Sequence, residues 1–309
     1  GGRLRRVRHY LDDEPFCFWF GTSDPHRPYE YTSGVNSGMK AEAVRVPACL
    51  PDSEEVRIDI CDYFYEVQRY DRDIGKLLKL LEENGELDNT LIVVSSDNGM
   101  PFPRCKSNLY DMGVHMPMAV RWGNVVKGGR IVDDFVSMQD IAPTFLEVAG
   151  LKPSPQMTGK SLVNILLSEK SGQIDPSRDK TFTGKERHGW CRPGGATYPS
   201  RAVRTADYLY IHNFRPDRWP SGNPNTDAAH TQINDEQKQK LIDETFLMYG
   251  DIDGSPTKAY MLANRNKPGV KKLFELGFKK RPAEELYDLN IDPNQLENVA
   301  EDPKYTEVK

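Results

Sequence analysis

From Ser53 to Asn84, apolar side chains recur at three- and four-residue spacing: Val56, Ile60, Phe64, Val67, Ile74, Leu77, Leu78 and Leu81. That period fits one face of an α-helix, with Asp52 or Ser53 as its cap and Gly85 as its stop. A helix of this extent is about 45 Å long, enough to cross a whole sheet. It runs into TLIVVSSDNG, residues 90–99, an apolar run of strand length that ends in polar side chains. A long one-faced helix needs a partner layer to cover its stripe, so helix followed by apolar strand points to an α/β architecture.

The neighbouring segments extend this pattern. PFCFWFGT, residues 15–22, reads as a buried strand, and residues 24–52, rich in Pro, Gly, Ser and Tyr, as loop. PMAVRW, residues 117–122, is predicted as a third strand, and Ser137 to Gly150 as a short helix with Pro143 in its first turn. The order strand, helix, strand, strand, helix predicts a largely parallel sheet. After about residue 170 the character changes. Shorter strands are predicted at Thr181–Gly184, Ser200–Asn213 and Glu284–Leu289, with one charged helix near Asp235 to Met248. The chain is accordingly divided into an α/β part, residues 1–170, and a smaller α+β subdomain, residues 171–309.

Composition narrows the function classes. Apolar residues make up 38% and charged residues 28%, which suits an ordered protein rather than a disordered one. No apolar run is long enough to span a membrane. Forty-one basic against 46 acidic side chains, a net charge of −5, argues against nucleic acid or a membrane surface as the main partner. Five cysteines without a C-x-x-C pair make neither a disulfide framework nor a zinc site. The first 21 residues lack the pattern of a signal peptide.

Candidate chemistry sits where strands end, the place open α/β sheets use for ligands. Asp24-Pro25-His26-Arg27-Pro28 follows the first run and Asp97-Asn98-Gly99 the second. An Asp beside an Asn offers hard oxygen ligands for Ca²⁺ or Mg²⁺. The same triplet is also ordinary turn chemistry.

LIVVSSDNGMPFPRCKSNLYDMGVHMPMAVRW and DDFVSMQDIAPTFLEVAGL together resemble the sulfatase family of the alkaline-phosphatase-like superfamily. TSDPHRPY, SDNGMPFP and the late ELYDLNIDPNQLENVA resemble its heparan N-sulfatase branch. The resemblance implies an alkaline-phosphatase-like α/β/α sandwich and hydrolysis of sulfate groups on a sugar, with the N-sulfate of glucosamine in heparan-type glycosaminoglycan as its target. It implies Asp97 and Asn98 as ligands of Ca²⁺, His26 as the group that assists leaving-group departure, and Lys106 as the cation on a sulfate oxygen. It further implies a sulfated glycan as partner and export to a bacterial periplasm. Glu186, His188, Arg192 and Arg204, in basic Gly-rich loops, are candidates for an anionic sugar; salt bridges within the subdomain are the plain alternative.

The family's C/S-x-P/A-x-R motif, oxidised to the formylglycine nucleophile, is missing. Cys49-Leu50-Pro51 and Cys191-Arg192-Pro193 have the proline but not the arginine, and Ser200-Arg201-Ala202-Val203-Arg204 fits only a relaxed pattern in a strand-like setting. Asp12-Asp13 precedes its strand rather than following it. The resemblance therefore implies that the nucleophile and the first metal pair lie upstream of Gly1, and that residues 1–309 alone are inactive. An O-sulfatase of another glycan and a non-catalytic sulfatase-like glycan-binding module are the alternative readings.

Overall fold

A computed structural model describes residues 15–224 and 232–309. Asp12-Asp13, His9, His230 and most of the basic N-terminal stretch lie outside the described residues. In chain order the elements are α1 (Ser33–Asn36), α2 (Glu54–Glu83), β1 (Ile92–Val94), α3 (Asp111–Val114), β2 (Ala119–Arg121), α4 (Ile141–Val148), α5 (Val163–Leu167), β3 (Lys180–Lys185), β4 (Ser200–Thr205), β5 (Tyr208–Asn213), α6 (Asp235–Asp243), α7 (Pro256–Ala263), α8 (Lys271–Phe278) and β6 (Glu284–Asp288). Among the described residues no helix is long and apolar enough to cross a membrane.

The 30-residue α2 has the limits its periodicity predicts. Ser53 caps it, its hydroxyl accepting from the Val56 amide at 3.3 Å, and the chain leaves through Gly85 at φ 74°. Its first half is buried through Val56, Ile60 and Cys61, while Phe64 is 42% exposed. Replacing Ser53 with alanine removes the cap and should cost about 1 kcal/mol in urea unfolding; an unchanged midpoint would assign the start of α2 to packing alone.

Strand pairing differs from the sequence expectation. β1 and β2 pair antiparallel, Ile92 opposite Arg121 and Val94 opposite Ala119. Parallel neighbours need a crossover of a dozen or more residues, usually helical, and between β1 and β2 the chain instead makes a compact loop with only the four-residue α3. Residues 16–20 are not a buried strand: they run as coil, with Phe18 44% and Trp19 83% exposed. A strand exists only through a paired neighbour, and this segment joins neither of the two described sheets.

The later strands form one antiparallel sheet in the order β3-β4-β5-β6. The span expected as one strand from Ser200 to Asn213 is a hairpin, turned where Thr205 Oγ1 accepts from the Tyr208 amide at 3.1 Å. Ala202, Leu209, Ile211 and Tyr287 on this sheet pack against Leu109 and Tyr110, just beyond Lys106. The main core joins Val56, Ile60 and Phe102 to Met261, Leu262 and Phe278. Residues from both ends of the chain therefore hold the loops that follow β1.

Candidate active site

Asp97 and Asn98 leave β1 on a pinned turn. Ser96 Oγ donates to the Asn98 carbonyl at 2.9 Å, and the Gly99 amide donates to the Gly113 carbonyl at 2.9 Å. A Cβ at Gly99 would lie 1.9 Å from the Met112 carbonyl oxygen, so only glycine allows this approach. The chain then curls back: the Lys106 amide donates to the Met100 carbonyl at 3.0 Å, which folds the lysine toward the strand end.

Lys106 is buried, and its Nζ donates to Asp253 at 2.9 Å. His26 Nε2 lies 3.3 Å from the same ammonium. His26 Nδ1 lies 2.6 Å from the Arg27 carbonyl oxygen, which can only accept. The Nδ1 proton therefore points at that carbonyl, and Nε2 turns its lone pair toward Lys106. His26 itself remains exposed to solvent.

Arg27 anchors this arrangement. Its guanidinium pairs with Asp59 of α2 through two bonds of 2.7 and 2.9 Å, and its Nε donates to the Pro101 carbonyl at 3.1 Å. It also lies over the rings of Tyr29 and Phe102, 4.4 and 4.7 Å from their centroids. Asp59 accepts in addition from the Thr257 hydroxyl at 2.6 Å, at the start of α7. One buried ion pair thus locks the His26 loop, the 97–106 loop, α2 and α7 together.

The structure brings His26 and Lys106 together and places Asp97 and Asn98 on the loop interlocked with them. It does not gather Glu186, His188, Arg192 and Arg204 at the same point. Glu186 pairs with exposed Arg201, and Arg204 with Asp111 at 3.1 Å. Arg192 is buried and donates to the Trp219 and Pro220 carbonyls and, at 3.0 Å, to Asp251. His188 Nδ1 stands 3.6 Å from Asp251.

Asp251 is a hub that sequence reasoning missed, as it missed Asp253 and Asp59. It receives Lys185 at 3.3 Å, Arg192, and the Gly189 amide at 2.8 Å. Burial opposes its charge, but the neighbouring His188 and the Lys185 ammonium hold its carboxyl well below the usual carboxylate range. The nearby Cys191 thiol is pushed up to about 12 by burial and by Asp251. A carboxyl depressed in the folded state stabilises fully above its unfolded value near pH 4 and loses that contribution as pH falls further. Asp251→Asn should therefore be less stable than the wild type at about pH 6, with the gap narrowing below about pH 4. A gap that is constant across the acid limb would contradict this role. The signal in the sequence was the acidic pair in Asp251-Ile252-Asp253-Gly254-Ser255-Pro256 before a Ser-Pro helix start, which also reads as simple capping.

The sulfatase family model matches residues 4–151, and the model of the C-terminal part of N-sulphoglucosamine sulphohydrolase matches residues 105–245. The chain belongs to the sulfatase family. An ulvan-active sulfatase of Formosa agariphila is 27% identical over 84% of this chain and 38% of its own length. Human N-sulphoglucosamine sulphohydrolase is 28% identical over 99% of this chain and 60% of its own length. This sulfatase chain therefore spans about half the length of the curated relatives it matches. A solved structure from a study of glycosaminoglycan metabolism by Bacteroides thetaiotaomicron superposes with a TM-score of 0.62 at 19% identity, covering 99% of this chain and 56% of that one. The fold is α/β of the alkaline-phosphatase-like class.

Proposed function

We propose that this chain supplies the sulfate-binding and proton-donating side of a glycan sulfatase that acts on glucosamine N-sulfate in a heparan-type glycosaminoglycan. The approach of His26 Nε2 to Lys106 Nζ, 3.3 Å apart at the end of the Asp97-Asn98 strand, carries the reading. Lys106, steadied by Asp253, is a compact positive charge suited to a sulfate oxygen. His26, fixed through Nδ1, presents Nε2 beside Lys106 as the atom through which a proton would pass to the departing amine.

The residues present fit calcium as part of its shell. The Asp97 carboxylate makes no hydrogen bond or ion pair among the described residues, and Asn98 spends its amide nitrogen on the Gly99 carbonyl at 2.8 Å, leaving Oδ1 free. Calcium takes about six to eight oxygens, so these are two ligands of a larger set. When bound, the ion would neutralise sulfate charge. The formylglycine motif fits none of the five cysteines: Cys17 is exposed but leads Cys-Phe-Trp-Phe-Gly, without the proline and arginine, Cys49, Cys61 and Cys105 are buried, and Cys191 sits against Asp251. What this chain itself does is bind, orient and hold a proton at His26.

The match to the C-terminal model of N-sulphoglucosamine sulphohydrolase and the alignment of 99% of this chain to 60% of the human enzyme support the N-sulfate. The alignment to an ulvan-active sulfatase favours, as a second reading, an O-sulfatase of another glycan. Turnover of a polymer agrees with the expected export from the cytoplasm. The test is sulfate release by the polypeptide containing this chain, offered glucosamine N-sulfate, glucosamine 6-O-sulfate and sulfated ulvan fragments. Preference for the N-sulfate is expected; release from O-sulfates alone would transfer the assignment to the second reading, and binding without release would leave a glycan-binding module.

A further inference from the structure

Beside the loop that carries Lys106, the β3–β6 sheet lines a half-open cavity of about 20 Å³, walled by Ser107, Lys185, Tyr198, Asn213, Arg281 and Glu285 among others. That volume holds one occupant the size of a water molecule. Three lining residues carry buried polar atoms without a hydrogen-bond partner: Ser107 Oγ, the Tyr198 hydroxyl and Arg281 Nη2. Such orphans are rare in folded proteins, because each keeps the full cost of leaving water.

Arg281 is 7% exposed. Among the described residues its guanidinium has no hydrogen bond and no acidic partner, and lies 5.7 Å from the centroid of the Tyr110 ring. The acid that lines the cavity is already engaged: Glu285 accepts from Tyr110, Tyr287 and the Asn213 amide, each at 2.7 Å. Lys185 shares Asp251 with Arg192. Positive charge therefore exceeds negative charge around a space with unused donors, and a buried unpaired charge is strongly unfavourable. Water would satisfy the two hydroxyls and leave the guanidinium unneutralised.

We propose that this cavity binds a monatomic anion, chloride in ordinary solution, held by Arg281, Tyr198 and Ser107. Ser107 directly follows Lys106, so the ion braces the loop that presents the sulfate-binding lysine.

Two measurements on the full chain test this. Thermal unfolding is followed in sodium chloride, bromide or gluconate at constant ionic strength, and crystals grown in bromide are examined for anomalous scattering. Halides should raise the Tm by about 4 °C over gluconate, and bromide should give an anomalous peak in the cavity. Tyr198→Phe should weaken the halide response and Arg281→Gln should abolish it; if Arg281→Gln does not fold, the Tyr198→Phe response and the anomalous map decide. Equal Tm values in all three salts, or a cavity density without anomalous signal, would overturn the proposal in favour of water. A bromide peak without any Tm response would mean an adventitious ion only, and would also overturn it.

Discussion

Asp59→Ala should destabilise the chain by about 3–5 kcal/mol, because it strips a buried guanidinium of its counter-charge. Arg27 and Asp59 have side chains 5% and 1% exposed, and Arg27 cannot shed its proton. The loss would spread beyond one contact. Asp59 also receives Thr257 at the start of α7, and Arg27 carries His26 on one side and grips Pro101 on the other. Release of Arg27 should therefore let His26 drift from Lys106 as well as lower stability. Replacing both partners with apolar residues, Arg27→Met with Asp59→Leu, removes the unpaired charge and should recover much of the stability while leaving His26 unanchored. Urea unfolding read beside sulfate release separates the two effects. A single Asp59→Ala variant within about 1 kcal/mol of the wild type would show that water reaches Arg27 and that the pair is not the lock described here.

Much of the scaffold was legible because its signals are local. The period of Val56, Ile60 and their successors marked α2, and Ser53 and Gly85 marked its ends. The apolar run before Asp97 marked β1. Pairing direction was not legible, since β1 and β2 choose each other through the folding of the 95–118 loop rather than through their own residues. Phe16, Phe18, Trp19 and Phe20 have a strand's composition, but composition says nothing about whether an edge is available. At the site, His26 and Lys106 could be placed because a motif carries them. Asp253 could not, for it reaches Lys106 across 147 positions of sequence. Arg192 shows where the sequence left two readings open: a basic residue in a Gly-rich loop can serve an anionic sugar or an internal salt bridge, and here its Nε and Nη2 donate to Asp251 and two backbone carbonyls. Burial decides between those two fates, and burial is a property of the fold.

The second large effect concerns chemistry. Lys106 is the fixed positive charge of the proposed site, held between Asp253 and His26, and its ammonium is in place before any sulfate arrives. Preorganised charge of this kind contributes most where negative charge grows during reaction. The most direct measurement is steady-state sulfate release from glucosamine N-sulfate by the polypeptide containing this chain, comparing wild type, Lys106→Ala and Lys106→Arg, with circular dichroism and thermal unfolding as folding controls. The expected result is a fall in kcat of about 10²–10³-fold for Lys106→Ala with the fold retained, and partial recovery in Lys106→Arg. A folded Lys106→Ala protein whose kcat stays within about twofold of the wild type would contradict the account, because transition-state stabilisation would then come from elsewhere.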